Sequence, residues 1–160
     1  MFLINTIMLI NFYKEIEMLA PIGIKILIAT ICGSLVGWER ETKNKFAGLR
    51  TNLLICVGSA IFTIGSFYAA DLYNIADPTR ILSTIVTGMG FLGGGVIMRD
   101  RDKIIGITTA AFIWVISGIG ILCGMGLILI PVVLTIGLLL VSRFFEKVER
   151  QIRKDFDDRN

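Results

Sequence analysis

The stretch IIGITTAAFIWVISGIGILCGMGLILIPVVLTIGLLLV, residues 104–141, runs for 38 positions without a charged side chain. A helix crosses a hydrocarbon core roughly 30 Å thick with about 20 apolar residues. The run is therefore too long for one crossing, and it must turn back. Cys123-Gly124-Met125-Gly126 is the expected turn, because glycine adopts backbone angles closed to other residues. Two membrane helices joined by a tight turn follow from this one stretch.

Working outward, three further apolar segments precede it: Ile22 to Trp38, Thr51 to Ala70, and Ile81 to Met98. The first opens after Pro21, which suits a first helical turn. The third is closed by the charged stretch Arg99 to Lys103. The whole chain agrees with five spans, since 54% of its 160 residues are hydrophobic and 18% charged, against roughly 45–50% and 25% in soluble proteins. A soluble domain of this size cannot bury so much apolar surface. The expected fold class is all-α, a polytopic transmembrane bundle of about five glycine-rich helices with an N-terminal interfacial helix and a C-terminal amphipathic helix.

The expected organisation is an interfacial segment over 1–19, a membrane domain over 20–142 and a charged tail over 143–160, with no large soluble domain after it. Met1 to Tyr13 is short and interrupted by Asn5, Thr6 and Asn11, so it reads as an amphipathic helix on the membrane, an extra short span being the alternative. It lacks the basic leader and small-residue cleavage site of a secretory signal. In the tail, Phe144, Phe145, Val148, Ile152 and Phe156 recur at roughly helical spacing.

Thirteen of the sixteen basic residues fall in three places: Arg40 to Arg50, Arg99 to Lys103, and Arg143 to Arg159. Five spans put all three on one side, and positively charged loops stay in the cytoplasm. This predicts an N-terminus outside and a C-terminus inside, with Trp38 and Tyr68 as interfacial anchors. No His is present, which excludes imidazole metal ligands and Ser-His or Cys-His pairs. Cys32, Cys56 and Cys123 are odd in number and all lie in apolar segments, so they read as packing residues. Nothing forms a catalytic set, and the expectation is a non-enzymatic protein.

Glycines recur four apart at Gly33 and Gly37, Gly90 and Gly94, and Gly120 and Gly124. In lipid, helix association relies on close van der Waals contact, which small faces permit. The run Gly88-Met89-Gly90-Phe91-Leu92-Gly93-Gly94-Gly95 has two readings. One is a crowded helix crossing; the other is a broken helix whose freed backbone lines a polar cavity.

Three stretches together resemble the MgtC/SapB family of bacterial inner-membrane proteins: Gly37-Trp38-Glu39-Arg40-Glu41 leading to Ala47-Gly48-Leu49-Arg50-Thr51; Asp77-Pro78-Thr79-Arg80-Ile81 leading to the glycine run; and Gly106-Ile107-Thr108-Thr109-Ala110-Ala111, with Trp114 and Gly120 beyond. The likeness covers about residues 22–126. The resemblance implies a five-span domain in the bacterial plasma membrane and a part in adaptation to low magnesium or acid stress, in some members linked to virulence. It implies regulation through contacts with other membrane proteins, the ATP synthase among the family's partners. The alternative it carries is a small transporter or channel for Mg²⁺ or another ion. Membrane lipid, other membrane proteins and a second copy of the chain are the partners expected, and nucleic acid is not. Virulence-associated members carry Asn and Cys where this chain has Thr108 and Val115, and longer members carry a soluble C-terminal domain.

Around the first loop, Glu39, Arg40, Glu41, Arg50 and Thr51 are read as anchors of two helix ends, with Arg50 pairing with Glu39. The alternative is a cytoplasmic patch read by a partner, Arg50 holding a phosphate or lipid headgroup. Lys25 lies about one turn inside the first span, where a charge snorkels or finds an acid, and Asp71 and Asp77 are its candidate partners. No cofactor is indicated. Magnesium takes oxygen ligands in octahedral geometry, and the spans contain no Asp or Glu. A path for it would use backbone carbonyls, water and the hydroxyls of Ser83, Thr84, Thr87, Thr108 and Thr109.

Overall fold

The computed structural model describes residues 2–73, 77–101 and 103–157; side chains at 2–11, 14, 153, 156 and 157 lie outside that description. The elements are α1 (Phe2–Thr42), α2 (Leu49–Tyr73), α3 (Thr79–Gly95), β1 (Met98–Asp100), β2 (Lys103–Ile105), α4 (Ile107–Gly124) and α5 (Leu129–Asp157). Stretches of α1, α2, α4 and α5 are long and apolar enough to cross a membrane: Glu15–Thr42, Leu49–Tyr73, Ile107–Gly124 and Leu129–Ile152. With 17 residues, α3 is the shortest helix, about 25 Å at 1.5 Å per residue. Among the described residues the fold is an all-α membrane bundle of five helices.

Three boundaries differ from the sequence reading. Pro21 lies inside α1 rather than opening it. The charged stretch after α3 forms an antiparallel hairpin, Met98 opposite Ile105 and Asp100 opposite Lys103, with Arg101 at φ 53°. The tail continues α5 without a break. Whether residues 1–11 lie on the membrane depends on side chains outside the described set.

The turn between α4 and α5 falls where the glycines place it. Gly126 has φ +92°, its N–H donates to Cys123 O at 2.9 Å and the Leu127 N–H to Leu122 O at 3.2 Å. This bond pair closes a helix through a left-handed residue. Pro131 then sits in the first turn of α5, where its missing N–H removes no helical bond.

The core is a triad of α1, α2 and α4. Ala29, Cys32 and Val36 meet Ile55, Cys56 and Ala60, and both meet Ile113, Ile116, Ile119 and Cys123. All three cysteines are free and buried. On α2, Asn52, Cys56, Ser59, Thr63 and Ser66 repeat at helical spacing and are buried, while Leu54, Ile61 and Phe62 are exposed. This helix turns its small and polar stripe inward and its large apolar residues toward lipid, since in hydrocarbon only close packing and hydrogen bonding reward the inner face. Thr63 donates to Ser59 O at 2.7 Å, and Ser66 to Pro78 O at 2.6 Å, tying α2 to the start of α3.

Both flanks of α2 are closed by glycine. A Cβ on Gly33 or Gly37 would lie 2.9 or 2.6 Å from a Cα of α2, and one on Gly124 2.6 Å from Ala60 O. A Cβ on Gly120 would overlap the Cys56 carbonyl. By contrast α3 buries only Ile85 and Gly93. Its glycine run is neither broken nor crowded. The helix is continuous to Gly95, and a Cβ added at Gly88, Gly90, Gly94 or Gly95 would meet no neighbouring element within 4 Å among the described residues.

Candidate functional site

The end of α1, the start of α4 and the middle of α5 converge on one charged cleft of about 540 Å³. Glu39 and Arg40 turn inward there, each 3% exposed. Arg40 Nη2 donates to the Thr109 hydroxyl at 2.6 Å, and its guanidinium carbon lies 4.5 Å from the Phe112 ring centroid, within cation–π range. Arg40 Nε has no hydrogen-bond partner among the described residues. One turn on, Lys43 pairs with both Glu39 and Glu146, and Arg150 donates to Glu146 at 2.7 Å. Lys43 is thus a clasp joining α1 to α5. Burial works against its ammonium, yet the hydrogen bonds to Glu146 and Glu39 outweigh this and raise its pKa above the ordinary lysine value.

The start of α4 is set by Gly106 at φ +92°, where a Cβ would run into the Val96 carbonyl. The hairpin therefore returns the chain tightly from α3 and delivers Thr108 and Thr109 to the cleft. The sequence-predicted residues Glu39, Arg40, Thr108 and Thr109 all line it, together with Lys43, Lys45, Glu146 and Glu149. Lys43 was legible as the i+4 partner of Glu39; nothing local marks Glu146, 103 residues away.

The other signature residues divide between three places. Glu41 turns to α2, where its Oε2 accepts the Leu49 N–H at 3.0 Å, a carboxylate at the positive end of a helix. Gly48 leaves room for that carboxylate, and the Asn52 amide donates to Ala47 O at 2.5 Å and Gly48 O at 2.9 Å, fixing the turn. Arg50 and Thr51 are exposed and line a separate shallow pocket with Trp38. The expected Arg50–Glu39 pair is not formed, because the helical period sends Glu39 inward to Lys43 and Glu41 toward α2.

At the opposite end, Lys25 lies against the α4–α5 turn, its Nζ 3.5 Å from where a Gly126 Cβ would stand. The negative end of α4 offers its ammonium a place, and no ion pair joins it to Asp71 or Asp77 among the described residues. The expected pairing fails because Asp71 is exposed and Asp77 is engaged with the start of α3, accepting the Thr79 N–H at 2.9 Å and hydroxyl at 2.5 Å. Those two bonds lower its pKa below the usual aspartate value. Arg80 is exposed, and its carbonyl accepts the Ser83 and Thr84 hydroxyls at 2.8 and 3.0 Å. Trp114 is exposed beside an apolar groove between α3, α4 and α5. Among the described residues, no group of three or more Cys, Asp or Glu is placed to hold a metal ion.

The sequence pattern described as the MgtC family matches residues 26–151. Protein MgtC of Salmonella typhimurium (strain 14028s) is 42% identical over 113 residues, 71% of this chain and 47% of the relative. A protein of Haemophilus influenzae described as uncharacterized is 40% identical over 137 residues, 81% of this chain and 58% of the relative. A protein of Escherichia coli K12 named putative magnesium transporter YhiD is 40% identical over 136 residues, 82% of this chain and 63% of the relative. The chain thus spans about half to two thirds of the length of these curated relatives. No solved structure matches it.

Proposed function

The chain belongs to the MgtC family, and from that premise we propose that it is a non-enzymatic regulator that works by contacts with other membrane proteins during adaptation to low magnesium or acid stress. It lies in the bacterial plasma membrane with its N-terminus outside and its basic end, with the cleft, in the cytoplasm, the orientation that positively charged loops favour. The observation that carries this reading is the outer face of α3. A Cβ added at Gly88, Gly90, Gly94 or Gly95 would face open space among the described residues, and Phe91 stands 84% exposed between them. Five glycines in a helix cost about 0.8–1.0 kcal/mol each relative to alanine. Close approach of a second membrane helix offsets that cost. A photo-crosslinker at Phe91 in native membranes is expected to capture a membrane protein, whereas one at Leu54, exposed on α2, captures lipid. Lipid alone at both positions would remove the basis of this reading.

The name of the Escherichia coli relative favours a second reading, passage of magnesium. Purified protein in liposomes would then carry Mg²⁺, and Gly94→Leu would block the flux. Unchanged flux in that variant would count against α3 as the path.

A further inference from the structure

We propose that the cleft at the basic end is a binding site for a phospholipid with a zwitterionic, ammonium-bearing headgroup. Its phosphate sits at the start of α4 beside Arg40, and its ammonium faces Glu146 and Glu149. Three independent features support this. The first is an electropositive inner end. The first-turn N–H groups of a helix have no intrahelical partner and carry the positive end of its dipole. In α4 they receive neither a side-chain cap nor an acidic residue.

The second is the unpartnered chemistry of the two most buried charges. Arg40, 3% exposed, has no carboxylate at ion-pair distance among the described residues, and its Nε is bare; Glu39, equally buried, leaves Oε2 without a partner. A buried cation with no anion within bonding distance is costly, and Arg40, which Glu39 and Glu146 reach only at longer range, stands next to the helix end that also calls for one. A phosphate supplies that charge, and a guanidinium offers it a planar fork of donors.

The third is the shape and balance of the walls. Arg40, Lys43 and Lys45 are matched by Glu39, Glu146 and Glu149, so a ligand of zero net charge with its charges separated fits. A net-anionic headgroup would set its excess against α5. Phe112, Leu138 and Val141 continue the cleft into the apolar part of the bundle, giving an acyl chain a wall that free phosphate cannot use. The volume of about 540 Å³ takes a headgroup and the first carbons of a chain, within the usual range of ligand sites. This inference is independent of the α3 face.

Native mass spectrometry of the delipidated full chain, titrated with phosphatidylethanolamine, phosphatidylglycerol or inorganic phosphate, tests it. Phosphatidylethanolamine is expected to be retained about tenfold more strongly than phosphatidylglycerol, and Arg40→Gln to lose about tenfold of that affinity, as removal of a charged hydrogen-bond donor implies. Arg40 is buried and its replacement risks misfolding, so Glu149→Gln on the exposed face is the second arm; it is expected to narrow the preference between the two lipids. Arg50→Gln, outside the cleft, leaves both unchanged. Equal retention of the two lipids by the unaltered protein would overturn the proposal, as would indifference to both Arg40→Gln and Glu149→Gln. Displacement of bound lipid by inorganic phosphate would assign the anion site to a soluble ligand and overturn it too.

Discussion

Four-residue glycine spacings flank α2 from its neighbours and lie within α3 itself, and the structure uses them in opposite ways. Around α2, Gly33 and Gly37 on one side and Gly120 and Gly124 on the other bring neighbouring backbones so close that added carbons would overlap them. On α3 the glycines are more numerous, yet four of them face open space. What differs is the presence of a neighbour, not the residue type. In lipid an uncovered glycine only weakens its helix, whereas a covered one permits the contact that holds the bundle together.

The largest expected effect breaks the covered side. Gly120→Leu forces α4 away from the Cys56 carbonyl, and overpacking of this kind costs about 3 kcal/mol or more; thermal unfolding in detergent should show it, or the protein should fail to accumulate. Next comes the clasp on the looser α5. Lys43→Ala leaves Glu39 buried without its cation. Breaking a buried pair costs roughly 3–5 kcal/mol, and about 2 kcal/mol is expected here because Lys43 and Glu146 are partly solvated. The loss should appear as faster hydrogen exchange over residues 143–152. The lysine pKa is raised in the fold, so this contribution is complete below the unfolded value of about 10.4 and is lost as pH rises through the folded one.

A smaller effect of opposite sign tests the open side. Gly88→Ala meets nothing within 4 Å and should stabilise the isolated protein by about 0.8–1.0 kcal/mol through helix propensity, while reducing partner capture at Phe91. Destabilisation instead would mean that α3 has a neighbour within the bundle. The smallest effect concerns the entry to α3. Asp77 has a lowered pKa, so its contribution is present above about pH 3.9 and disappears as pH falls through the folded value. Asp77→Asn should flatten that acid limb in a thermal-melting series and slightly lower the melting temperature at the pH values above it.

Much of the bundle was readable locally. A charge-free run of 38 residues forces a reversal wherever it lies, and Gly126 takes the left-handed angle that the reversal needs. The buried stripe on α2 was also available as spacing, from Asn52 through Cys56, Ser59 and Thr63 to Ser66, but it reads as inner only once lipid is recognised as the outer solvent. Pro21 misleads because a proline at the start of a helix and one within it look alike in sequence. Of the cleft, Glu39, Arg40, Thr108 and Thr109 stand out as polar residues at span ends; Glu146 does not, because the tail is rich in similar charges.

Composition and the length of the apolar runs by themselves determined that this chain crosses a membrane in several helices, since no soluble packing can hide so much hydrocarbon-like surface. Tertiary structure alone decided which glycines are covered, that Lys43 rather than Arg50 answers Glu39, and that Arg40 comes to rest at the start of α4. These outcomes depend on which helix faces meet across long separations in the chain, and no local period encodes that meeting.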